Sequence, residues 1–419
     1  MPRLLTNLVS SDGKWLAFYC GSAGDPFGHV GTDTADLTLH LMDLENGDTK
    51  TVTKLLSDDY PDNFEAAAKE LKKPDINSEE LQFSFLNGIT QAVNWSPDGR
   101  YLAFAGQMNG LSSDLYVFDT KTESIKQLSS GPQEMQWIGW SPDGKWIIYG
   151  STYIAGASMN FDVYATTLDG TVTNFLTTSS GAYDAPELWL DNLHFFDNDS
   201  ANGPGSYQLR LIDVETGGID QIWEGDFFDL TISPQKNWIA FNAFFPQWNP
   251  PEEPNFKNFH PGVQLINLTT LQQVKADIPM DNNLYLVFPV TLSSGNFIVR
   301  GENNLLFLST DGKLTDSGIG NGDVIGSPNL NYFLVANDNI KVYSTMIEFL
   351  SEIELPLDLF DRSIPYQNII WRPDSSGFFA IADYPSANLY AVDLLSGEMM
   401  LVESNYGSSP TFNYAWVNH

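Results

Sequence analysis

Residues 94–106 read NWSPDGRYLAFAG, and residues 139–151 read GWSPDGKWIIYGS. The two halves of this phrase carry different chemistry. In SPDG, Pro97 fixes φ for a turn, Asp98 bonds backbone close to itself, and Gly99 accepts a positive φ. The run RYLAFAG mixes aromatic and aliphatic residues and is bounded by glycine, which is a strand pattern. The short apolar run AVNW, closing at Trp95, precedes the turn. The phrase therefore predicts strand, tight turn, strand.

Weaker copies recur along the chain: SSDGKWLAF from 10, LWLDNLHFF from 188, ISPQKNWIAF from 232, TLSSGNFIVR from 291, SPNLNYFLVA from 327 and RPDSSGFFAIA from 372. The Asp position of the phrase marks Asp12, Asp98, Asp143, Asp191, Gln235, Ser294, Asn329 and Asp374. Apart from insertions, the unit is about 45 residues. Each copy is followed by two more strand-like runs around a second turn, as in SDLYVFDT-KTES-IKQLS after Asp98 and ANLYAVDL-LSGE-MMLVES after Asp374. Each unit is thus four short antiparallel strands, a to d. One such sheet cannot bury both of its faces, so the units must stack. The predicted fold is all-β, an eight-bladed β-propeller of four-stranded antiparallel blades. A single domain spans residues 1–419.

The phrases WSPDGRYLAF and WSPDGKWIIY, each followed by LYVFD or VYATTLDG, closely resemble the TolB-like, or WD40-like, propeller repeat. That repeat also builds the propeller of prolyl-oligopeptidase-type peptidases. The copies at 95 and 140 match strongly, those at 10 and 371 well, and the other four are degenerate. The resemblance implies an extracytoplasmic bacterial protein, periplasmic or extracellular, of a kind used for protein contacts. It transfers no catalytic residue, because the signature is structural.

Composition narrows the partners. Fifty-three acidic against 20 basic residues give a net charge of −33. Nucleic acids and anionic membranes need positive patches, so this balance argues against both as partners. A partner with basic and apolar groups suits this charge. Hydrophobic residues at 42 % and aromatics at 13 % supply ample core, with many aromatics on the b strands, where they would pack between blades. The single cysteine, Cys20, allows no internal disulfide and reads as a small buried hydrophobe on the first b strand. No charged start with an apolar run opens the chain, and no apolar run reaches membrane-spanning length.

The a–b and c–d turns all read as tight. The long segments fall between b and c, or between d and the next a: 21–36, 57–90, 151–160, 197–206 and 246–262. In an antiparallel four-stranded blade these two kinds of connection leave the same end. Insertions 21–36, 57–90 and 246–262 therefore belong to one face, where loops carry function. Within 57–90, NFEAAAKELKK predicts a short helix near residues 62–73. The stretch FFPQWNPPEEPNFKNFHPG, 244–262, is stiffened by five prolines and presents Trp248, Phe256, Phe259 and His260. Rigid aromatics are suited to a contact surface, and Asp58, Asp59 and Asp62 would lie beside them. The same aromatics can equally pack the loop onto the blades. Two segments compete for the inner strand of the first blade, the N-terminal RLLTNLV and the C-terminal TFNYAWVNH, with Trp416 in the place of Trp95.

Catalytic and metal motifs are sparse. There is no Gly-x-Ser-x-Gly elbow and no His-Glu-x-x-His. The five histidines are scattered, with only His29 and His260 in loops of the built-up face. DNDSANG, 197–203, resembles a calcium loop at Asp197 and Asp199 only, and reads as an ordinary turn. GIGNGDVIG, 318–326, has no helix after it and reads as a flexible connection rather than a phosphate loop. No cofactor is called for, no catalytic residue is assigned, and no metal site is defined. The function expected from this reading is a non-catalytic propeller that binds a protein or glycan partner through its loop-rich face. The alternative is a propeller enzyme, such as a polysaccharide lyase or hydrolase, with its site at the channel mouth on that face.

Overall fold

The computed structural model describes residues 9–20, 37–57, 89, 92–109, 112–131, 134–152, 161–179, 188–199, 208–225, 227–246, 259–276, 287–337, 339–354, 369–372, 374–382 and 387–406. Among these residues all named elements are strands, arranged in eight antiparallel sheets. Blade 1 is β1 (Trp15–Cys20), β2 (Thr38–Asp43) and β3 (Thr49–Lys54). Blade 2 is β4 (Val93–Trp95), β5 (Tyr101–Gly106), β6 (Asp114–Asp119) and β7 (Ser124–Gln127). Blade 3 is β8 (Glu134–Trp140), β9 (Trp146–Thr152), β10 (Phe161–Thr167) and β11 (Thr173–Ser179). Blade 4 is β12 (Leu188–Trp189), β13 (His194–Asp199), β14 (Gln208–Asp213) and β15 (Ile219–Glu224).

Blade 5 is β16 (Phe227–Ile232), β17 (Trp238–Pro246), β18 (Phe259–Asn267) and β19 (Gln273–Ala276). Blade 6 is β20 (Val287–Thr291), β21 (Phe297–Arg300), β22 (Asn304–Leu308) and β23 (Leu314–Gly320). Blade 7 is β24 (Asp323–Gly326), β25 (Tyr332–Ala336), β26 (Ile340–Ser344) and β27 (Phe349–Ile353). Blade 8 is β28 (Ile369–Trp371), β29 (Gly377–Ala382), β30 (Ala387–Asp393) and β31 (Met399–Tyr406). Strands pair in sequence order within every sheet. The fold is all-β, an eight-bladed β-propeller, as the repeats predict. The helix expected near 62–73 lies outside the described residues, as does the C-terminal TFNYAWVNH. At the free side of β1, Val9 makes one antiparallel bridge to Leu16, and the rest of RLLTNLV lies outside the described residues.

The chain divides into two compact units, with most of blades 1–4 in one and most of blades 5–8 in the other, and β15 and β31 each cross the division. In the first, Trp137, Ile148 and Val163 of blade 3 pack against Phe195 and Ile212 of blade 4. In the second, Ala240 and Val263 of blade 5 pack with Phe297 and Leu308 of blade 6. Phe333 of blade 7 meets Ile298 and Phe307 of blade 6. Phe18, Phe104, Phe195, Phe196, Phe241, Phe297, Phe333 and Phe378 are fully buried, and all stand on b strands, as expected. Cys20 closes β1 in the predicted b strand.

The opening phrase builds its turn around its serine. Ser96 Oγ donates to Asp98 Oδ1 at 2.6 Å and accepts the Tyr101 N–H at 2.9 Å. Asp98 Oδ1 also accepts the Arg100 N–H at 3.1 Å. Ser10, Ser141 and Ser327 repeat the arrangement with Asp12, Asp143 and Asn329. In blade 5, where Gln235 replaces the Asp, Ser233 still accepts the Trp238 N–H and donates to Asn237. The serine thus keeps its role where the aspartate is lost, and in blades 4 and 8, which lack the serine, Asp191 and Asp374 still accept turn N–H groups. Ser96 is buried, so Ser96→Ala leaves a backbone N–H and a carboxylate short of a partner. It is expected to lower stability by about 1–2 kcal/mol, read as a lower urea midpoint at unchanged m-value.

Candidate functional site

Strand order fixes which connections share an end of each blade. The a–b turns, such as 96–100, 141–145, 233–237 and 292–296, are uniformly short, as are the c–d turns 44–48, 168–172, 268–272 and 394–398. The b–c and d–a connections are not uniform: 21–37, 55–92, 107–113, 247–258 and 354–368 contrast with 225–226 and 321–322. All of the length variation therefore leaves one end of the sheets.

Of the residues expected at that end, Asp58, Asp59, Asp62, Trp248 and Phe256 lie outside the described residues, as does His29. The insertion in blade 5 is narrower than 246–262. β17 runs on through Pro246, and Phe259 and His260 already belong to β18, paired with Pro246 and Phe245. Two other sequence readings change. Asp197–Asp199 are the last residues of β13, not a turn, and GIGNGDVIG is the end of β23, a two-residue connection and β24.

Two buried carboxylate clusters stand at this end, on either side of blade 3. Asp114 is the first residue of β6, directly after the b–c connection of blade 2, and it is buried. Ser129 Oγ donates to its Oδ1 and Gln127 Nε2 to its Oδ2, each at 3.1 Å. These donors are neutral. Burial pushes the carboxyl up to about 6, and the hydrogen bonds from Ser129 and Gln127 pull it only part of the way back. Its charge in turn holds up the hydroxyls of Tyr116 and Tyr149, both raised first by their own burial. Tyr116 donates to Asn109 Oδ1 at 2.7 Å, and Tyr149 stacks on Tyr164 at 5.4 Å.

The second cluster holds a cation. Asp197 and Asp199 alternate with Phe196 and Asn198 along β13, so they share the face of Phe195 toward blade 3. Arg210, on β14, donates from Nε to Asp197 Oδ2 at 3.0 Å and from Nη1 to Asp199 Oδ2 at 2.7 Å. Its Nη2 also donates to Asp197 Oδ2. All three side chains are buried. Burial pushes the Asp197 carboxyl up, Arg210 draws it down, and the neighbouring Asp199 charge pushes it up again. Asp197 and Asp199 thus serve an ion pair inside the fold rather than a calcium loop. Among the described residues no group of three or more His, Cys, Asp or Glu side chains has the geometry of a metal site. His194, the first residue of β13, bonds Asp191 of the preceding a–b turn through Nδ1 at 2.9 Å.

Asp114 supplies a pH test. Its folded carboxyl titrates near 6, above the ordinary value near 4, so the folded state binds that proton more tightly. The associated stability is fully present below pH 4 and is lost as pH rises through 6. Asp114→Asn removes this dependence. Between pH 4 and 7 the wild type is expected to lose about 2–3 kcal/mol relative to the variant, measured by urea unfolding at each pH.

A β-propeller with turn-forming Ser-Pro-Asp-Gly repeats and one elaborated end defines a class, and sequence comparison narrows it. Residues 60–245 match the TolB beta propeller domain. The match covers just under half of the chain, and the eight blades extend the same kind of fold beyond it. No curated protein matches the sequence. Among solved structures, an oligogalacturonate lyase from Vibrio parahaemolyticus is 13 % identical, with 93 % of this chain and 89 % of that chain covered and a TM-score of 0.48. TolB from Acinetobacter baumannii is 16 % identical over 74 % of this chain and 64 % of that chain, with a TM-score of 0.34. A prolyl endopeptidase is 11 % identical over 86 % of this chain and 57 % of that chain, with a TM-score of 0.50. That last likeness supports a shared fold and says nothing of chemistry. No helix among the described residues is long and apolar enough to cross a membrane.

Proposed function

We propose that this chain is a non-catalytic, extracytoplasmic propeller that binds a protein or glycan partner through the end bearing its long connections. One observation carries the reading: every variable-length connection leaves that end, while the a–b and c–d turns keep nearly constant length. A scaffold whose turns are fixed at one end and elaborated at the other presents its specificity at the elaborated end. Trp248, Phe256 and Phe259 supply rigid contact area, and the net charge of −33 favours basic groups on the partner. The extracytoplasmic address rests on the repeat resemblance.

A second reading, an enzyme acting on a polysaccharide, is favoured by one feature. Asp114 is a buried carboxyl poised near neutral pH at the same end, beside Tyr149. One experiment bears on both. Arrays of glycans and basic peptides are screened with the wild type and with a variant in which residues 247–258 are replaced by a short Gly-Ser linker. Binding is expected to fall by about tenfold or more in the variant, and in Trp248→Ala with Phe259→Ala, and to weaken with salt. Unchanged binding in both variants contradicts the proposal. Turnover of an array glycan that Asp114→Asn abolishes favours the enzyme.

A further inference from the structure

At the opposite end of the blades, where only short turns lie, six non-glycine residues among the described ones stand at positive φ: Glu123, Lys236, Leu271, Leu330, Ile347 and Ser375, and blade 7 alone places a β-branched residue there. In the c–d turns one position is held at positive φ, and glycine fills it in five blades: Gly47, Gly170, Gly217, Gly312 and Gly397. In blade 7 that position is Ile347, at φ 73°. A β-branched residue is a steric misfit in the left-handed region. The a–b turn of the same blade has Leu330 at φ 58°, where Gly13, Gly99, Gly144 and Gly295 stand in four blades and the polar Lys236 and Ser375 in two more. Leu330 and Ile347 are also exposed to water, so they are unfavourable for the backbone and for solvation at once.

They are not isolated. Leu330, Met346, Ile347, Phe349, Leu395 and Met400 are each 40–69 % exposed. The Thr345 N–H donates to Asn331 O at 2.8 Å, which fastens the two turns of blade 7 together. Ser351 Oγ donates to Leu394 O at 3.0 Å, which ties β27 to the c–d turn of blade 8. Phe349 rests one edge on Tyr343, with ring centroids 5.7 Å apart, and leaves the rest open. The charged residues in and beside these two c–d turns are acidic: Glu348, Asp393 and Glu398. Arg372, in the a–b turn of blade 8, lies over the Phe379 ring at 5.5 Å.

We propose that this turn-bearing end of blades 7 and 8 is a second docking surface, and that its occupant is a protein segment with apolar side chains flanked by Lys or Arg. Charge complementarity chooses that occupant. An apolar centre with an acidic rim repels anionic surfaces, and it repels a second copy of a chain carrying −33. A basic, apolar segment buries the exposed side chains and neutralises the rim.

The probe is a dye-labelled peptide of alternating Leu and Lys, with a Leu/Glu peptide as control, read by fluorescence anisotropy on the full chain. The wild type is expected to bind the Leu/Lys peptide and not the Leu/Glu one. The double variant Leu330→Gly with Ile347→Gly is expected to bind about tenfold more weakly. Its melting temperature should be unchanged or raised, because glycine suits both turns. Replacing residues 247–258 by a Gly-Ser linker is expected to leave this binding intact. Equal peptide binding by the double variant would assign the affinity to overall charge and overturn the proposal. Loss of peptide binding on replacing 247–258 would move the site to the other end and overturn it as well. A wild-type dimer in sedimentation that the double variant converts to monomer would make the occupant a second copy, against the proposal.

Discussion

Arg210→Met lowers stability by about 3–5 kcal/mol at pH 7, the expected loss when one partner of a buried charge pair is removed. The guanidinium is buried and bonds both Asp197 and Asp199, themselves buried. Methionine fills much of the same volume but removes the guanidinium that both carboxylates share. The Asp197 carboxyl, already pushed up by burial, then loses the cation that draws it down and rises further above its unfolded value. The sign follows from linkage: stability is retained at low pH, where Asp197 is protonated, and lost as pH rises through the raised value. The deficit should therefore shrink on acidification. Adding Asp197→Asn and Asp199→Asn to Arg210→Met should recover most of the loss, because the uncompensated charge is gone. Urea unfolding of the three proteins from pH 4 to 8 tests this. A single variant that loses equally at every pH would mean that packing, not charge, is what Arg210 supplies.

Gly377→Ala is expected to cost about 3 kcal/mol or more, for a different reason. A Cβ at Gly377 would lie 2.1 Å from the carbonyl oxygen of Val392. The obstacle is backbone of the neighbouring strand β30, where Gly377 pairs with Asp393, so no side-chain rotation relieves it. The ladder must part at the start of β29, next to the Arg372–Gly377 hydrogen bond that closes the a–b turn of blade 8. A contrast is available in Gly150, where the obstacle is the Trp137 side chain. Gly377→Ala should lower the thermal midpoint and raise hydrogen exchange in β29 and β30. An unchanged midpoint would show that the two strands separate at little cost.

Much of the architecture is legible in the sequence because the turn chemistry repeats. Each of the eight Asp-position marks falls in an a–b turn, including the degenerate Gln235 and Ser294, since the strands on either side keep their apolar pattern. The buried clusters were not legible, and the reason is physical. Acidic residues in short motifs read as turn or rim, and nothing local says that Asp197 and Asp199 are sheltered. The signal was parity: both stand on the face of Phe195, and Arg210 on the face of Ile212, so all three point into one interface between blades. Asp114 opens a strand whose next four residues, Leu115 to Phe118, are aliphatic or aromatic, and its neutral donors come from the neighbouring strand and the segment after it, at Gln127 and Ser129. The strained Ile347 and Leu330 were invisible because φ is a property of the turn, and the glycine expected there is only a preference.

Hydrogen exchange on a bound complex tests the central claim, that binding belongs to the end with the long connections. The measurement uses the Leu330→Gly with Ile347→Gly background, which silences the turn-bearing end, together with the tightest ligand from the glycan and peptide arrays. Protection is predicted in the b–c and d–a connections, foremost 107–113 and 247–258, with the a–b and c–d turns unchanged. Protection confined to the a–b and c–d turns, with those connections exchanging as in the free chain, would contradict the account.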